Sequence, residues 1–217
     1  MLELPSSRVV CPVGAGSKVR RVVDVAQEVQ NSPPIDFEVL ELESGADMSI
    51  DIPSTEFIVK SFPTCHPVES QGYVLYSKRE KLLPELQGLK GAEIKKRKDA
   101  GEKVTQSILV PEIAFTGDTT SAFLDGNSPV LADALRAKVL IMEMTYLGID
   151  FTPEQARDRG HMHVQDFVDR EDMFKNEAIM LIHFSPRYKR SEILAQLEAA
   201  LPPKLAARCT PLLNGIE

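Results

Sequence analysis

Three apolar runs, each ending on a chemically active side chain, constrain this chain more than any other feature. Ile113-Ala-Phe115 leads through Thr-Gly to Asp118, Val139-Leu-Ile-Met142 ends at Glu143, and Ala178-Ile-Met-Leu-Ile182 ends at His183. Short apolar runs without alternation read as strands covered on both faces. A carboxylate at the end of such a strand is costly to bury unless a positive group meets it. Nothing basic lies beside Asp118 in sequence, so a metal ion or a distant cation is its natural partner. The C-terminal ends of strands are the edge where open α/β sheets bind ligands. Periodicity alone predicts a doubly wound parallel sheet for residues 113–213.

The rest of the chain frames these runs. Val9–Cys11 reads as a strand, and Gly14-Ala-Gly16 turns it into a helix over Ser17–Gln30, with Ser17 as N-cap and Val19, Val22, Val23, Ala26 and Val29 at helical spacing. The Gly-Ala-Gly run lacks the Lys-Ser/Thr ending of a phosphate loop and reads as an ordinary strand-to-helix turn. From Phe37 to Ser77 the period falls to about 2. Phe37–Leu42, Met48–Ile52, Glu56–Phe62 and Gly72–Ser77 read there as antiparallel strands. After Asp118, Ser128-Pro129 opens a helix, Leu147–Met162 is a loop, and the next helix turns Val164, Phe167, Val168 and Phe174 inward. A helix from Ser191 to Ala200 stops at Pro202-Pro203, and a last strand lies near Cys209–Leu213.

Composition sets the outer bounds. The 217 residues suit one domain, and no run approaches the ~18 apolar residues of a membrane span. Net charge is −7, which argues against wholesale coating of nucleic acid. Residues 78–103 reverse that sign: nine basic and five acidic side chains give this stretch +4. Such a run is ordinarily a solvated helix, but the reversal points to a polyanion contact through Lys95, Lys96, Arg97 and Lys98. Cys11, Cys65 and Cys209 are odd in number and widely spaced, as in reduced intracellular proteins. Leu2–Leu4 is too short for a signal-peptide core. A strand entered at Val9 suggests a chain that begins in the middle of a fold.

The strand-end groups, with the histidines, form one set: His66, Asp118, Glu143, His161 and His183. Histidines with a shared carboxylate suit zinc-type divalent ions, and an aspartate can bridge two of them. Cys65 and His66 are adjacent on an extended segment and so point to opposite faces, which argues against a Cys–His nucleophile pair.

Five segments together carry a resemblance. His66-Pro-Val-Glu-Ser-Gln-Gly-Tyr73, Phe115-Thr-Gly-Asp-Thr119, Met142-Glu-Met-Thr-Tyr146, Gly160-His-Met-His163 and His183-Phe-Ser-Pro-Arg-Tyr188 occur in the order found in tRNase Z, in its short, plant-type form. This tRNA 3′-processing endoribonuclease is a member of the metallo-β-lactamase superfamily. The resemblance implies an α/β fold, the αββα sandwich of that superfamily, as a single domain with the basic insertion at 78–103 in place of the family's tRNA-gripping arm. It implies two zinc ions, with His66, Asp118 and His183 as ligands and Asp118 bridging. It implies Glu143 and His161 as a catalytic pair beside the scissile phosphate, and Arg187 with Lys95–Lys98 as RNA contacts. Precursor tRNA is the implied substrate, in the cytoplasm, nucleus or an organelle, with no membrane and with a homodimer as the family's assembly.

One departure from the family is large. The His-x-His-x-Asp-His motif, which supplies further zinc ligands, is absent, and its place in the family is upstream of this chain's start. The expectation is therefore a C-terminal portion whose sandwich is incomplete on its N-terminal side. Two protein ligands per ion would bind zinc weakly and leave this chain inactive alone. Two other readings remain: a non-catalytic relative that binds tRNA or a partner, and a superfamily hydrolase of small molecules. The retained Asp118, His161 and His183 weigh against the first, and the basic stretch with His-Phe-Ser-Pro-Arg-Tyr against the second.

Overall fold

The computed structural model describes residues 7–45 and 48–216. β1 (Ser7–Pro12), α1 (Gly16–Gln30) and β2 (Phe37–Leu42) form a β-α-β unit whose strands pair in parallel, Val9 opposite Val39. This differs from the antiparallel block that period 2 predicts for Phe37–Leu42. A 15-residue helix between the strands carries the chain back to its starting end, so β2 runs alongside β1. Helix α1 begins at Gly16, one residue before the expected span, with Ala15 rather than Ser17 at its cap and no side-chain cap of its own. The orphan N–H of Gly16 donates instead to Glu41 Oε1 of β2, at 2.9 Å. Backbone N–H groups of Gly14 and Gly16 hold the Glu41 carboxyl below the usual carboxylate range. A carboxylate of the chain itself thus fills the position an anion takes at a helix N-terminus.

The second sheet has seven strands in the order β3-β4-β5-β6-β7-β8-β9. β3 (Ile50–Asp51), β4 (Phe57–Pro63), β5 (Gln71–Leu82) and β6 (Thr105–Phe115) are antiparallel; β7 (Val139–Glu143), β8 (Ala178–Ile182) and β9 (Cys209–Pro211) continue in parallel from β6. The parallel arrangement expected for 113–213 therefore holds for half of a mixed sheet. The expected strand Met48–Ile52 contracts to two residues beside β4.

The basic insertion is built differently from a solvated helix. β5 runs on to Leu82 and pairs with β6 back to Thr105, making a two-stranded arm. Its tip carries a 3₁₀ turn (Pro84–Leu86) and α2 (Gly91–Asp99). Lys78, Arg79, Glu80 and Lys81 are exposed strand residues with no buried alternation, so period 2 left no trace in the sequence. At the root of the arm Glu112 meets Lys138 at 2.6 Å, Ser77 at 2.5 Å and Arg79. These partners, Lys138 first, hold its carboxyl down to about 2.

One face of the large sheet is the core. Val74, Tyr76, Ala114, Leu140, Met142, Ile179 and Leu181 lie there under α3 (Pro129–Ala134), α5 (Val164–Val168) and α6 (Arg190–Ala200), with Phe62, Phe167 and Ile193 fully buried among them. The expected long helix carrying Phe174 stops at Val168, and a 3₁₀ turn (Glu171–Met173) delivers Phe174 to a ring contact with Phe167 at 4.6 Å. The loop 147–162 contains α4 (Pro153–Asp158), capped reciprocally by Thr152 and Gln155. Pro203, expected only to stop a helix, starts α7 (Pro203–Ala206) at the tolerated first position.

The opposite face presents Tyr73, Leu75, Ile113, Phe115, Val139 and Ile141 in register across β5, β6 and β7. Ile113 is 39% and Phe115 41% exposed. The β1–β2 sheet is tied to this face through Tyr73, whose hydroxyl donates to the Val10 carbonyl at 3.0 Å.

Candidate metal centre and active site

Five segments bring the chemically active side chains together. The turn after β6 presents Asp118, the end of β7 presents Glu143, the loop after α4 presents His161, and the residue after β8 is His183. His66 arrives from the loop between β4 and β5. Ligand atoms of His66, Asp118 and His161 lie within 4.8 Å of one another, and so do those of Glu143, His161 and His183. His161 belongs to both groups. His183 Nε2 stands 3.5 Å from Asp118 Oδ2.

Backbone detail makes this convergence possible. His183 sits at φ +60°, a left-handed conformation that costs a non-glycine residue energy and recurs at functional sites. Gly160 has φ +86°, and a Cβ there would stand 2.3 Å from Pro67 Cδ and 2.9 Å from His66 Cδ2. Only glycine lets the His161 loop pass this close to the His66 loop. Thr119, fully buried, fastens the His66 loop to the Asp118 turn: its hydroxyl accepts from the Cys65 N–H at 3.0 Å, while the Thr120 N–H donates to the Cys65 carbonyl at 2.7 Å.

Glu143 is fully buried and surrounded by donors. Oε1 accepts from the Thr119 N–H at 2.6 Å and His161 Nδ1 at 3.1 Å; Oε2 accepts from the Thr145 hydroxyl at 2.5 Å and the Met162 N–H at 3.2 Å. A carboxylate with four donors has little lone-pair capacity left for an ion, so Glu143 acts here as an anchor and the ion-facing donors are the others. By accepting from Nδ1 it fixes His161 in the tautomer that leaves Nε2 free.

Thr145 does the same for His183. Its hydroxyl has one proton, given to Glu143, so toward His183 Nδ1 at 2.8 Å it accepts. Nδ1 of His183 then carries the proton and Nε2 faces Asp118 Oδ2 with a lone pair. A lone pair and a carboxylate oxygen 3.5 Å apart repel unless a cation lies between them, and this donor set fits a divalent ion of the zinc type. His66 Nδ1 lies 3.3 Å from the Val68 carbonyl and 3.2 Å from the Val68 N–H; donation to the carbonyl is the tautomer that frees Nε2.

The fourth histidine serves the framework. His163 Nδ1 caps α5 by accepting from the Gln165 N–H, and Nε2 bonds the Gly148 carbonyl at 3.0 Å. Tyr188 locks the His183 loop to the Tyr146 loop, accepting from the Leu147 N–H at 3.0 Å and donating to its carbonyl at 2.9 Å. Burial pushes its phenol above the usual range.

The RNA-contact residues read from the sequence divide into two places. Arg187 is exposed near the cluster, its guanidinium 5.0 Å from the Phe151 ring. Lys95, Lys96, Arg97 and Lys98 lie on α2 at the end of the arm, apart from the cluster, and Arg97 pairs with Glu102 at 3.5 Å. Sequence reasoning missed Thr145 and Thr119 as tautomer and loop anchors. The signal for Thr145 was its spacing: two residues beyond Glu143 on an extended segment, it points to the same side.

A mixed sheet whose strand ends gather three histidines and an aspartate is the arrangement of the metallo-β-lactamase fold. The metallo-β-lactamase-fold protein YhfI of Bacillus subtilis superposes with a TM-score of 0.53 at 10% identity, over 97% of this chain and 65% of that one. Human tRNase Z, short form, superposes with a TM-score of 0.51 at 19% identity, over 86% of this chain and 64% of that one. No family model matches the sequence. The tRNase Z TRZ1 of Arabidopsis thaliana is 41% identical over 215 residues, which span 99% of this chain and 74% of the relative. The chain belongs to the tRNase Z family of ribonucleases.

Proposed function

We propose that this chain supplies the Asp118–His183 half of a zinc-dependent endoribonuclease that removes the 3′ trailer from precursor tRNA. The observation carrying this reading is the locked orientation of the cluster: Thr145 and Glu143 each hold a proton on the Nδ1 of one histidine and leave its Nε2 bare beside Asp118. His66, Asp118 and His183 are the ligands in this reading. Divalent ions held by these residues would supply a water acidified toward neutral pH and positive charge for the phosphoryl oxygens. His161, its Nδ1–H held by Glu143, takes a proton from water onto Nε2 and, as the imidazolium, passes that proton to the departing 3′ oxygen, returning to the neutral ring, a contribution of about 10²–10⁴-fold. Arg187 and the arm residues Lys95–Lys98 grip the RNA. No helix among the described residues is long and apolar enough to cross a membrane. The proposed setting is intracellular, with precursor tRNA and a second copy of the chain as partners.

The test joins this chain to a segment bearing His-x-His-x-Asp-His and measures cleavage of 3′-extended tRNA. Cleavage on the 3′ side of the discriminator nucleotide is expected. Asp118→Ala abolishes it and lowers metal content, whereas His161→Ala leaves metal content near wild type and slows turnover. Undiminished cleavage by Asp118→Ala overturns the reading.

A further inference from the structure

Phe151, which no sequence motif singled out, holds an unusual set of neighbours. Its ring stacks on Tyr146 at 4.5 Å and an interplanar angle of 27°. The guanidinium of Arg159 lies 5.4 Å from the Phe151 centroid and that of Arg187 5.0 Å. Both arginines are exposed, and neither makes an ion pair or side-chain hydrogen bond among the described residues. Two like charges on one ring repel each other, and the ring's quadrupole offsets that only by about 0.5–1 kcal/mol for each exposed cation. The arrangement holds two unpaired guanidinium groups in a chain of net charge −7.

Their place matters as much as their charge. Arg159 precedes His161 by two residues and Arg187 follows His183 by four, so each arginine rides on a loop that delivers a cluster histidine. Tyr146 itself lies 6.2 Å from the His161 ring, edge to face. The Phe151 ring, covered by Tyr146 and by two guanidinium groups, is not a free platform for a nucleobase. What remains on offer is a pair of planar donor forks, the geometry that matches phosphate oxygens two at a time.

We propose that Phe151 holds Arg159 and Arg187 as a phosphate clamp that grips the RNA backbone beside the scissile bond. This rests on the ribonuclease reading above and adds Phe151 and Arg159 to it. The clamp aligns the backbone by fixing a neighbouring phosphate, and engagement of both arginines draws the His161 and His183 loops onto the same strand. Phe151 is a positioning residue: it touches the arginines, not the RNA.

The experiment is equilibrium binding of a 3′-extended tRNA to the 217-residue chain at several salt concentrations, without added metal so that cleavage does not intervene. Arg159→Gln and Arg187→Gln should each weaken binding about tenfold and lower the slope of log K against log salt by about 0.7–0.9, the release of one phosphate's counterions. Lys204→Gln, which removes the same charge on α7, should change neither. Phe151→Leu should weaken binding in the wild-type background and have no further effect once both arginines are replaced. An unchanged slope in Arg159→Gln, or an equal loss in Lys204→Gln, overturns the clamp while leaving the ribonuclease reading standing. A full effect of Phe151→Leu in the absence of both arginines overturns the positioning role. Failure of the wild-type chain to bind the RNA at any salt overturns both readings together.

Discussion

Thr145 carries more of the site's chemistry than its size suggests, because a hydroxyl has one proton and here it faces two acceptors. Giving that proton to Glu143 forces His183 to place its own on Nδ1, and the bare Nε2 is what an ion requires. Glu143 completes the same logic for His161 while its remaining lone pairs are taken by the N–H groups of Thr119 and Met162. Outer hydrogen-bond partners of metal-binding histidines typically change affinity by about 10–100-fold when removed. Thr145→Val, which keeps the shape and loses the hydroxyl, should weaken zinc binding by that order, and Thr145→Ser should restore it. Calorimetric zinc titration of the three proteins reads this directly; equal affinities for wild type and Thr145→Val would exclude the tautomer lock.

Elements divide sharply in how readable they are from sequence. The strands leading to Asp118, Glu143 and His183 announce themselves as strands by their short apolar runs, but the expectation that both faces are covered fails: one face is buried, while Ile113 is 39% and Phe115 41% exposed on the other. The strand pairing of the 37–77 block is harder: period 2 marks a strand but says nothing of its partner, and Phe37–Leu42 belongs with β1. The arm is hidden for a physical reason. Its strands are exposed, so Lys78–Lys81 satisfy the backbone ladder without burying an apolar face, and only their charge is visible in the sequence. His66, Asp118, Glu143, His161 and His183 are all legible in the sequence, while Thr145 and the Phe151 ring need coordinates, because neutral hydroxyls and single aromatics are too common to stand out. The arm's position sharpens its test. α2 is exposed, buries no side chain and sits at the tip, so replacing Lys95, Lys96, Arg97 and Lys98 with glutamine should leave the melting temperature within about 1 °C, as for surface changes generally. The same variant should bind tRNA more weakly with a flatter salt dependence. A slope equal to wild type would remove the arm from the RNA interface.

At the scale of the whole molecule, the cluster is where four separated stretches of chain meet: the His66 loop, the Asp118 turn, the His161 loop and the residue after β8. The core reaches into these stretches through Met144, Met162 and Phe184, and the ends themselves are held by hydrogen bonds through Thr119, Thr145 and Glu143. An ion bound by groups so far apart in sequence binds the folded chain and has no equivalent site in the unfolded one. Such a ligand stabilises the fold by about 2.7 kcal/mol at a concentration one hundred times its dissociation constant. For a chain of this size each kcal/mol raises the melting temperature by about 2–4 °C, which gives a shift of roughly 5–11 °C. Zinc should therefore raise the melting temperature of this chain in a concentration-dependent way, and a chelator should reverse it. Asp118→Ala, which removes the carboxylate facing His183 and grouped with His66 and His161, should abolish the rise while changing the metal-free melting temperature little, since Asp118 is half-exposed and outside the core. A wild-type melting temperature indifferent to zinc, or a full zinc response in Asp118→Ala, would mean that these four stretches meet without forming a metal site.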